Sequence, residues 1–500
     1  MPATVVLSFV LLVPLVASSD ATSPVVAAPL RPNLVIIMTD DQRWDTVTPQ
    51  YMPRLTSILA KNPSISFGNA FVPNSLCCPS RASVLTGDYS HTTGVFSNSG
   101  RWGGFPAFTS PPVGRTISPI NDSTTLAVDL SEGGYRTGLI GKYLNGYETR
   151  SSRYVPPGWD RWFAVPTGAY YRYWAAAGTS SGPIRNRLYG RSASDYSTRV
   201  LAKKAVSFVE NAAPKPAPFF LYYAATAPHA PATPDLLDTH RFTLSDVAGK
   251  PYEQPPSFGK AESGAPDYIR ALPWDASTRR VNNRFHLAQL DANYGVDRSI
   301  GRLWKVLPPN TVVLFMSDNG YSWGEHKWRY KMLPYDEDLR VPMYLVGKDL
   351  TDPLPWSGTT DRIVLNVDVL PTLEGLAGIS AGPRASPPEG IDMLGAATRS
   401  SFVIEHWSGG PIDALHTPTY CGIRSLDWMY VRYNGLEEPV KEGLYDEVAD
   451  PFEMNNLAVT DPTDPAVAAE LDAMRAEAAD AGGTGLCQEG TIYPDDWPYR

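Results

Sequence analysis

The apolar positions of the chain gather into short continuous runs, each closed by polar residues. Leu34 to Met38 is the first, and it ends in Thr39-Asp40-Asp41. Tyr135 to Ile140 runs into Gly141-Lys142-Tyr143, and Phe219 to Ala225 into Pro228-His229. Thr311 to Met316 ends in Ser317-Asp318-Asn319-Gly320. Runs that are apolar at successive positions predict strands buried on both faces, under helices. Helices are predicted between them. Tyr51 to Lys61 has helical spacing in Leu55, Ile58 and Leu59 after Pro53, and Thr124 to Glu132 is stopped by Gly133-Gly134. Asp195 to Asn211 and Arg284 to Val306 are further helices, Ser64 to Val72 a strand, and Val364 to Leu376 a strand then a helix. The alternation predicts an α/β layer architecture with its site at the carboxyl ends of the strands.

Two stretches break this rhythm. Residues 145–190 are rich in Gly, Tyr, Trp and Arg without a period, and 230–280 reads as a long Pro-rich loop, long enough for a lid or a recognition insert. Trp159, Trp162, Tyr170, Tyr171, Tyr173 and Trp174 fall in the first; they read either as a platform for a sugar ring or as a packed loop. After Gly382 the texture changes to short strands at Ser401–Glu405, Cys421–Ile423 and Trp428–Tyr433, with a helix at Pro465–Asp480. We therefore expect a large domain over 30–382 and a smaller α+β domain over 383–500. A chain of 500 residues is too long for one simple core.

The formal net charge of −9 excludes a general nucleic-acid footprint but leaves room for a small anionic substrate. Residues 1–19 hold no charged side chain, and the apolar run Val5 to Val16 precedes Ala17-Ser18-Ser19. This predicts a signal peptide cut between 19 and 28, and a secreted or periplasmic protein without stable membrane insertion. Of four cysteines, Cys421 and Cys487 suit a clip on the C-terminal region; the neighbours Cys77 and Cys78 are poor partners for each other.

The strand ends carry the candidate chemistry. Asp40, Asp41, Asp318 and Asn319 are hard oxygen ligands, suited to Ca²⁺ or Mg²⁺ rather than zinc. Asp40-Asp41 alone reads equally as a cap, and Asp318-Asn319-Gly320 alone as a tight turn. Both pairs closing apolar strands favours a shared metal. His229, between two prolines, is placed to protonate a leaving oxygen. Lys142, Lys331 and Arg81 are candidates to hold a tetrahedral anion. Cys77-Cys78-Pro79-Ser80-Arg81, followed by Leu85-Thr86-Gly87, stands where a turn hands over to a helix and reads as a nucleophile site.

These residues resemble the type I sulfatase signature, Cys-x-Pro-Ser-Arg with a trailing Leu-Thr-Gly. The resemblance extends in order through Thr39-Asp40-Asp41-Gln42, Gly141-Lys142-Tyr143, Ala227-Pro228-His229, Ser317-Asp318-Asn319-Gly320, Lys331 with Tyr335 and Arg340-Val341-Pro342, and Asp450-Pro451-Phe452-Glu453. The double cysteine and Gly141-Lys142-Tyr143-Leu144-Asn145 are most similar to the N-acetylglucosamine-6-sulfatase and heparan endosulfatase branch. The resemblance implies an alkaline-phosphatase-like large domain, with a mixed central sheet flanked by helices, and a smaller domain with a short antiparallel sheet. It implies hydrolysis of sulfate esters on a sulfated sugar or an aryl sulfate. A phosphate or phosphonate ester hydrolase of the same superfamily is the alternative, and a non-catalytic glycan-binding homologue the second.

The resemblance further implies that a formylglycine-generating enzyme oxidises Cys77 to formylglycine, whose hydrate attacks sulfur and gives a covalent sulfate ester. Asp40, Asp41, Asp318, Asn319 and residue 77 would hold the metal. Arg81 and Lys142 would stabilise the hydrate and the sulfate, and His229 and Lys331 would face the leaving oxygen. Lys331 is chosen over Lys327 because Tyr335 and Arg340 follow it at the family spacing. One departure stands out. Many sulfatases carry a His two residues after the lysine matching Lys142; here that place is Leu144, with Asn145 next. His91 and His326 are the remaining candidates for the base of sulfate elimination.

Overall fold

The structure, a computed structural model, describes residues 1, 30–109, 121–147, 151–247, 255–379, 384, 386–408, 417–436 and 439–480. The expected signal peptide, the domain boundary at 382/383 and Cys487 lie outside the described residues. Cys421 is disulfide-bonded, whereas Cys77 and Cys78 are free thiols.

A ten-stranded sheet forms the centre. Its strands are β1 (Asn33–Asp40), β2 (Ser64–Phe71), β3 (Arg136–Lys142), β4 (Arg161–Val165), β5 (Trp174–Gly178), β6 (Arg185–Leu188), β7 (Phe219–Pro228) and β8 (Thr311–Ser317). A short ribbon follows, β9 (Ser322–Trp323) with β10 (Arg329–Tyr330), before β11 (Met343–Lys348) and β12 (Gly358–Leu365) rejoin the sheet. The order is β12-β2-β11-β8-β1-β7-β3-β4-β5-β6. The middle strands β8, β1, β7, β3 and β4 are mutually parallel, and β11, β5 and β6 run antiparallel to their neighbours. This is the mixed sheet expected of the fold.

β1 is the axis of this arrangement. Leu34 to Met38 are all buried, each at 2% exposure or less. Alternate residues face opposite layers: Leu34, Ile36 and Met38 enter one apolar cluster, Val35 and Ile37 the other. Each such side chain contributes roughly 1.5–3 kcal/mol by leaving water. The helix Ser197–Ala212 and the long helix Ala276–Val306 cover the second face. Two further helices, α1 (Pro53–Lys61) and α2 (Cys77–Thr86), follow β1 and β2.

The long helix begins eight residues before the expected Arg284. Its first turns are polar and carry no apolar stripe, but Asp275 caps them by accepting the Thr278 N–H at 2.7 Å. Residues 161–188 supply β4, β5 and β6, where no element was expected. β4 is apolar at successive positions, Trp162 and Ala164 entering one cluster and Phe163 and Val165 the other, while β6 at the sheet's edge is polar, so neither shows an alternation. Trp159, Trp162, Tyr170 and Tyr173 are buried, at 1–4% exposure, among apolar neighbours. Of the two readings of that aromatic run, the packed one holds for these four.

A four-stranded antiparallel sheet follows, ordered β13 (Ser401–His406), β14 (Tyr420–Ser425), β15 (Trp428–Tyr433) and β16 (Glu442–Asp446). Phe402, Ile404 and Met429 share an apolar cluster with Phe71, Trp328 and Tyr335. The helix Pro465–Asp480 packs on the other side through Val467, Leu471 and Met474. Among the described residues no helix is long and apolar enough to cross a membrane.

Candidate active site

Four adjacent parallel strands, β8, β1, β7 and β3, end on one side of the sheet. Their ends carry Asp318 and Asn319, Asp40 and Asp41, His229, and Lys142 respectively. Parallel pairing thus gathers residues separated by as many as 279 positions. Gly141 makes the last step of β3 feasible: its φ is +134°, and a Cβ there would meet the Ala224 carbonyl oxygen at 1.8 Å. Asp41 has a φ of 66°. It is held there by its own N–H, which donates to Asp318 Oδ1 at 3.1 Å, and by Gln42 N–H on Ser317 Oγ at 3.0 Å.

α2 brings the cysteine to these ends. Cys77 is its first residue, and all ten residues of the helix are buried. The positive end of the helix dipole therefore lies at Cys77, where it favours an anion. Gly87 closes the helix in the left-handed conformation, its N–H on the Ser83 carbonyl. Cys77 Sγ lies 3.5 Å from Asp40 Oδ1 and 4.0 Å from Asp41 Oδ1. Lys331 Nζ stands 2.7 Å from the same sulfur and 3.2 Å from Asn319 Oδ1, and also donates to Asp41. Lys142 Nζ donates to Asp40 Oδ2 at 2.8 Å. Arg81 donates from Nε to Asp318 Oδ2 at 2.8 Å and from Nη1 to the Lys142 carbonyl at 3.0 Å; its buried Nη2 has no hydrogen-bond partner. Asp40, Asp41, Cys77, Arg81, Lys142, Asp318, Asn319 and Lys331 meet in this cluster, and His229 joins it 3.8 Å from Asp41.

The cationic groups outnumber the carboxylates, His229 being the fourth against Asp40, Asp41 and Asp318. Burial alone would raise the Asp40 carboxyl, but Lys142 and then His229 outweigh it and hold it at about 2. Asp41 is likewise lowered, burial being outweighed by Lys331. Burial disfavours a charge on His229, yet Asp41 and Asp40 raise the imidazole to about 9. Its Nε2 lies 3.8 Å from Asp41 Oδ2, and its side chain is 21% exposed, the most open of the group. Its Nδ1 is 2.7 Å from the Ala230 carbonyl; a carbonyl only accepts, so Nδ1 carries a hydrogen. Cys78 is different from its neighbour: burial pushes its thiol up to about 12.

Asp40, Asp41, Cys77 and His229 bring ligand atoms within 4.8 Å of one another. The donor set fits a cation, because the Lys331 ammonium already rests on Asp41, Asn319 and Cys77 together. The two histidines considered for sulfate elimination have other partners. His91 pairs with Glu405 at 2.8 Å and Glu389 at 3.4 Å, and His326 with Glu262 at 3.2 Å.

Two positioning residues escaped the sequence reading. Gln289 donates to the carbonyls of Asp41 and Pro228, both at 3.3 Å, and so ties β1's end to the His229 loop. Asn98 Oδ1 accepts the Cys78 N–H at 2.8 Å. Gln289 belongs to a buried polar row, Gln289, Asn293 and Asp297, at i, i+4 spacing on the long helix. That spacing was the available signal; Asn98 had none. Beside the site, a cleft of about 530 Å³ is lined by Asn98, Leu144, Asn145, Tyr147 and Thr167.

Residues 32–379 match the family model described as Sulfatase. The chain belongs to the sulfatase family. It is 30% identical over 377 residues to the extracellular sulfatase Sulf-1 homolog of Caenorhabditis elegans, an alignment covering 72% of this chain and 48% of that protein. The chain thus spans about half the length of that relative. It is 30% identical to the arylsulfatase of Volvox carteri, covering 90% and 75%, and 27% identical to the N-acetylglucosamine-6-sulfatase of Homo sapiens, covering 87% and 82%. A solved protein in complex with its substrate D-glucosamine-2-N,6-O-disulfate shares the fold, with a TM-score of 0.67 and 22% identity over 90% of this chain and 99% of that one. The phosphonate monoester hydrolase of Agrobacterium radiobacter also shares it, at a TM-score of 0.64 and 19% identity, covering 89% and 96%.

Proposed function

We propose that this sulfatase-family chain is a secreted enzyme that hydrolyses sulfate esters of a sulfated saccharide, with 6-sulfated N-acetylglucosamine the first class to test. The observation that carries the reading is Cys77 at the head of α2, set among Arg81, Lys142, His229 and Lys331 with the Asp40–Asp41 pair against it. The names of the sugar-sulfate and aryl-sulfate relatives support it.

In this reading a formylglycine-generating enzyme converts Cys77 to formylglycine. The aldehyde hydrate then supplies one hydroxyl to attack sulfur and a second to expel sulfate. Asp40, Asp41, Asp318 and Asn319, with residue 77, would hold Ca²⁺, or Mg²⁺ as the other hard cation. Such an ion, when bound, acidifies a hydroxyl and neutralises sulfate oxygens. The protein's own side chains do the rest. Arg81 has two donors committed to Asp318 and Lys142, which fixes the third, Nη2, as a donor for a sulfate oxygen. Lys142 is oriented by Asp40 and adds a second positive charge. His229, with Nδ1–H anchored on Ala230, presents Nε2–H to the leaving oxygen, and Lys331 flanks it. The neighbouring cleft at Asn98 and Asn145 would take the sugar ring.

Peptide mass spectrometry of the secreted protein should find Cys77 as aldehyde, and the protein should release sulfate from an aryl sulfate and from a 6-sulfated glucosamine. Cys77→Ser should abolish both reactions. Unchanged turnover in that variant removes the nucleophile assignment. Faster turnover of a matched aryl phosphonate selects the phosphonate hydrolase instead, and tight glycan binding by an unmodified, inactive Cys77 protein selects the non-catalytic reading.

A further inference from the structure

A second cleft, of about 760 Å³, lies between the far edge of the large sheet and the helix Ser197–Ala212. Arg136, Arg161, Arg185, Lys204 and Lys215 line it, and among the described residues no Asp or Glu does. The chain as a whole carries a formal charge of −9, so five cations together are a local reversal. None of the five forms an ion pair within the described residues. The Arg136 Nε is buried without a hydrogen-bond partner, and the Lys204 ammonium sits 5.0 Å from the centre of the Phe163 ring. Clustered like charges repel and lower stability unless an anion joins them.

The cleft is separate from the hydrolytic centre. Arg136 begins β3 and Lys142 ends it, six steps along the strand. At about 3.3 Å per residue the two lie roughly 20 Å apart. A single sulfated sugar cannot fill both places. A polymer can.

We propose that this cleft is a second binding site that holds a non-reacting stretch of a sulfated polysaccharide, its sulfate groups paired with these five side chains. The saccharide assignment rests on the function proposed above; the preference for a polyanion does not. Nucleic acid, the other polyanion, is less suited, because Phe163 is buried at 4% exposure and offers no face for stacking bases.

The test uses the full chain in the Cys77→Ser background, so that binding is read without turnover. The probe is a heparin oligosaccharide long enough to exceed 20 Å, titrated at several salt concentrations. Arg161→Gln, Arg185→Gln and Lys204→Gln together should weaken binding about tenfold at physiological salt, about 1.4 kcal/mol shared over three exposed pairs. The same triple change should flatten the salt dependence, and in the Cys77 enzyme should leave turnover of a small aryl sulfate unaltered. An unchanged affinity and salt slope overturns the site. Equal binding of a single-stranded DNA of the same charge overturns the saccharide assignment. A measurement without any variant guards against misfolding: the heparin probe should protect Lys204 and Lys215 from acylation, and absence of protection overturns the proposal. Because none of these readouts needs catalysis, loss of the sulfatase reading and loss of this site are distinguishable.

Discussion

Two buried clusters of charge differ in the balance of sign. At the strand ends, Asp40, Asp41 and Asp318 face Lys142, Lys331, Arg81 and the His229 imidazole, three acids against four bases. The second cluster joins the segment after β10 to the C-terminal sheet. There Arg424 is bound by Asp336 at 3.2 Å and Glu447 at 3.1 Å, while Glu337 and Glu453 each keep a buried oxygen without a hydrogen-bond partner. Both clusters are removed from water, yet their carboxyls move in opposite directions. Asp40 is held at about 2, whereas burial, then the neighbouring Glu325, push Glu337 up to about 7. Glu453 is raised well above the usual range by burial and then by Glu447. Burial alone does not decide whether a carboxyl is ionised; the count and reach of its cationic partners do. The first cluster keeps its acids charged, the form in which carboxylates can hold a cation. In the second, Glu337 and Glu453 are pushed toward the protonated form, and the Asp336 N–H on Glu453 at 3.0 Å ties the segment after β10 to the C-terminal region.

Breaking the balance of the first cluster should have the largest effect. Lys331→Ala removes the cation that bridges Cys77, Asp41 and Asn319, and should lower kcat by about 10² to 10³ for an aryl sulfate. Arg81→Met leaves Asp318 buried without its partner. It should cost about 3–5 kcal/mol in denaturant unfolding, the range for half of a buried pair. A cation sharpens the contrast. Ca²⁺ at about a hundred times its Kd should add about 2.7 kcal/mol to the unfolding free energy. Asp40→Asn should erase that gain, and Glu447→Gln should keep it; equal loss in both variants would show that the two clusters are not distinct.

The second cluster predicts a pH effect of known sign. Glu337 has a folded-state pKa raised from 4.5 to about 7, so the proton stabilises the fold. Its contribution is complete below about 4.5 and is lost as pH rises through about 7, with an upper size on the order of 3 kcal/mol. Glu337→Gln should flatten the stability profile across that window, and a profile identical to wild type would refute the protonated state. The smallest effect belongs to Cys78. Its buried thiol lies beside Cys77 without sharing the contacts to Asp40, Asp41 and Lys331, so Cys78→Ala should cost about 1 kcal/mol of stability and leave kcat nearly unchanged.

Much of the site was legible one residue at a time. Each candidate ligand or cation except Lys331 closes an apolar run or sits in the Cys77–Gly87 motif, positions that reflect local rules; Lys331 was found only by its spacing to Tyr335 and Arg340. The strands β4 to β6 were not legible, because β4 packs side chains into both apolar layers and β6 is polar at the sheet's edge, so neither alternates. The first turns of the Ala276–Val306 helix were missed for a related reason: they are exposed, and only the Asp275 cap marks them. Among the aromatics, Trp159 and Tyr170 have the composition of a sugar platform, but composition does not report which way a ring points.

From the sequence alone came the buried strands, the polar residues that close them and the family, because hydrophobic runs and motif spacing act over short stretches of chain. Tertiary structure decided which polar groups meet. It set Lys142 on Asp40, Lys331 on Asp41 and Cys77, and Arg81 on Asp318, since only strand order brings such distant positions together. It also decided that Asp40 stays charged while Glu337 holds its proton up to about pH 7. That outcome depends on how many opposite charges lie within reach in a water-free interior, and neighbours in space are not neighbours in the chain.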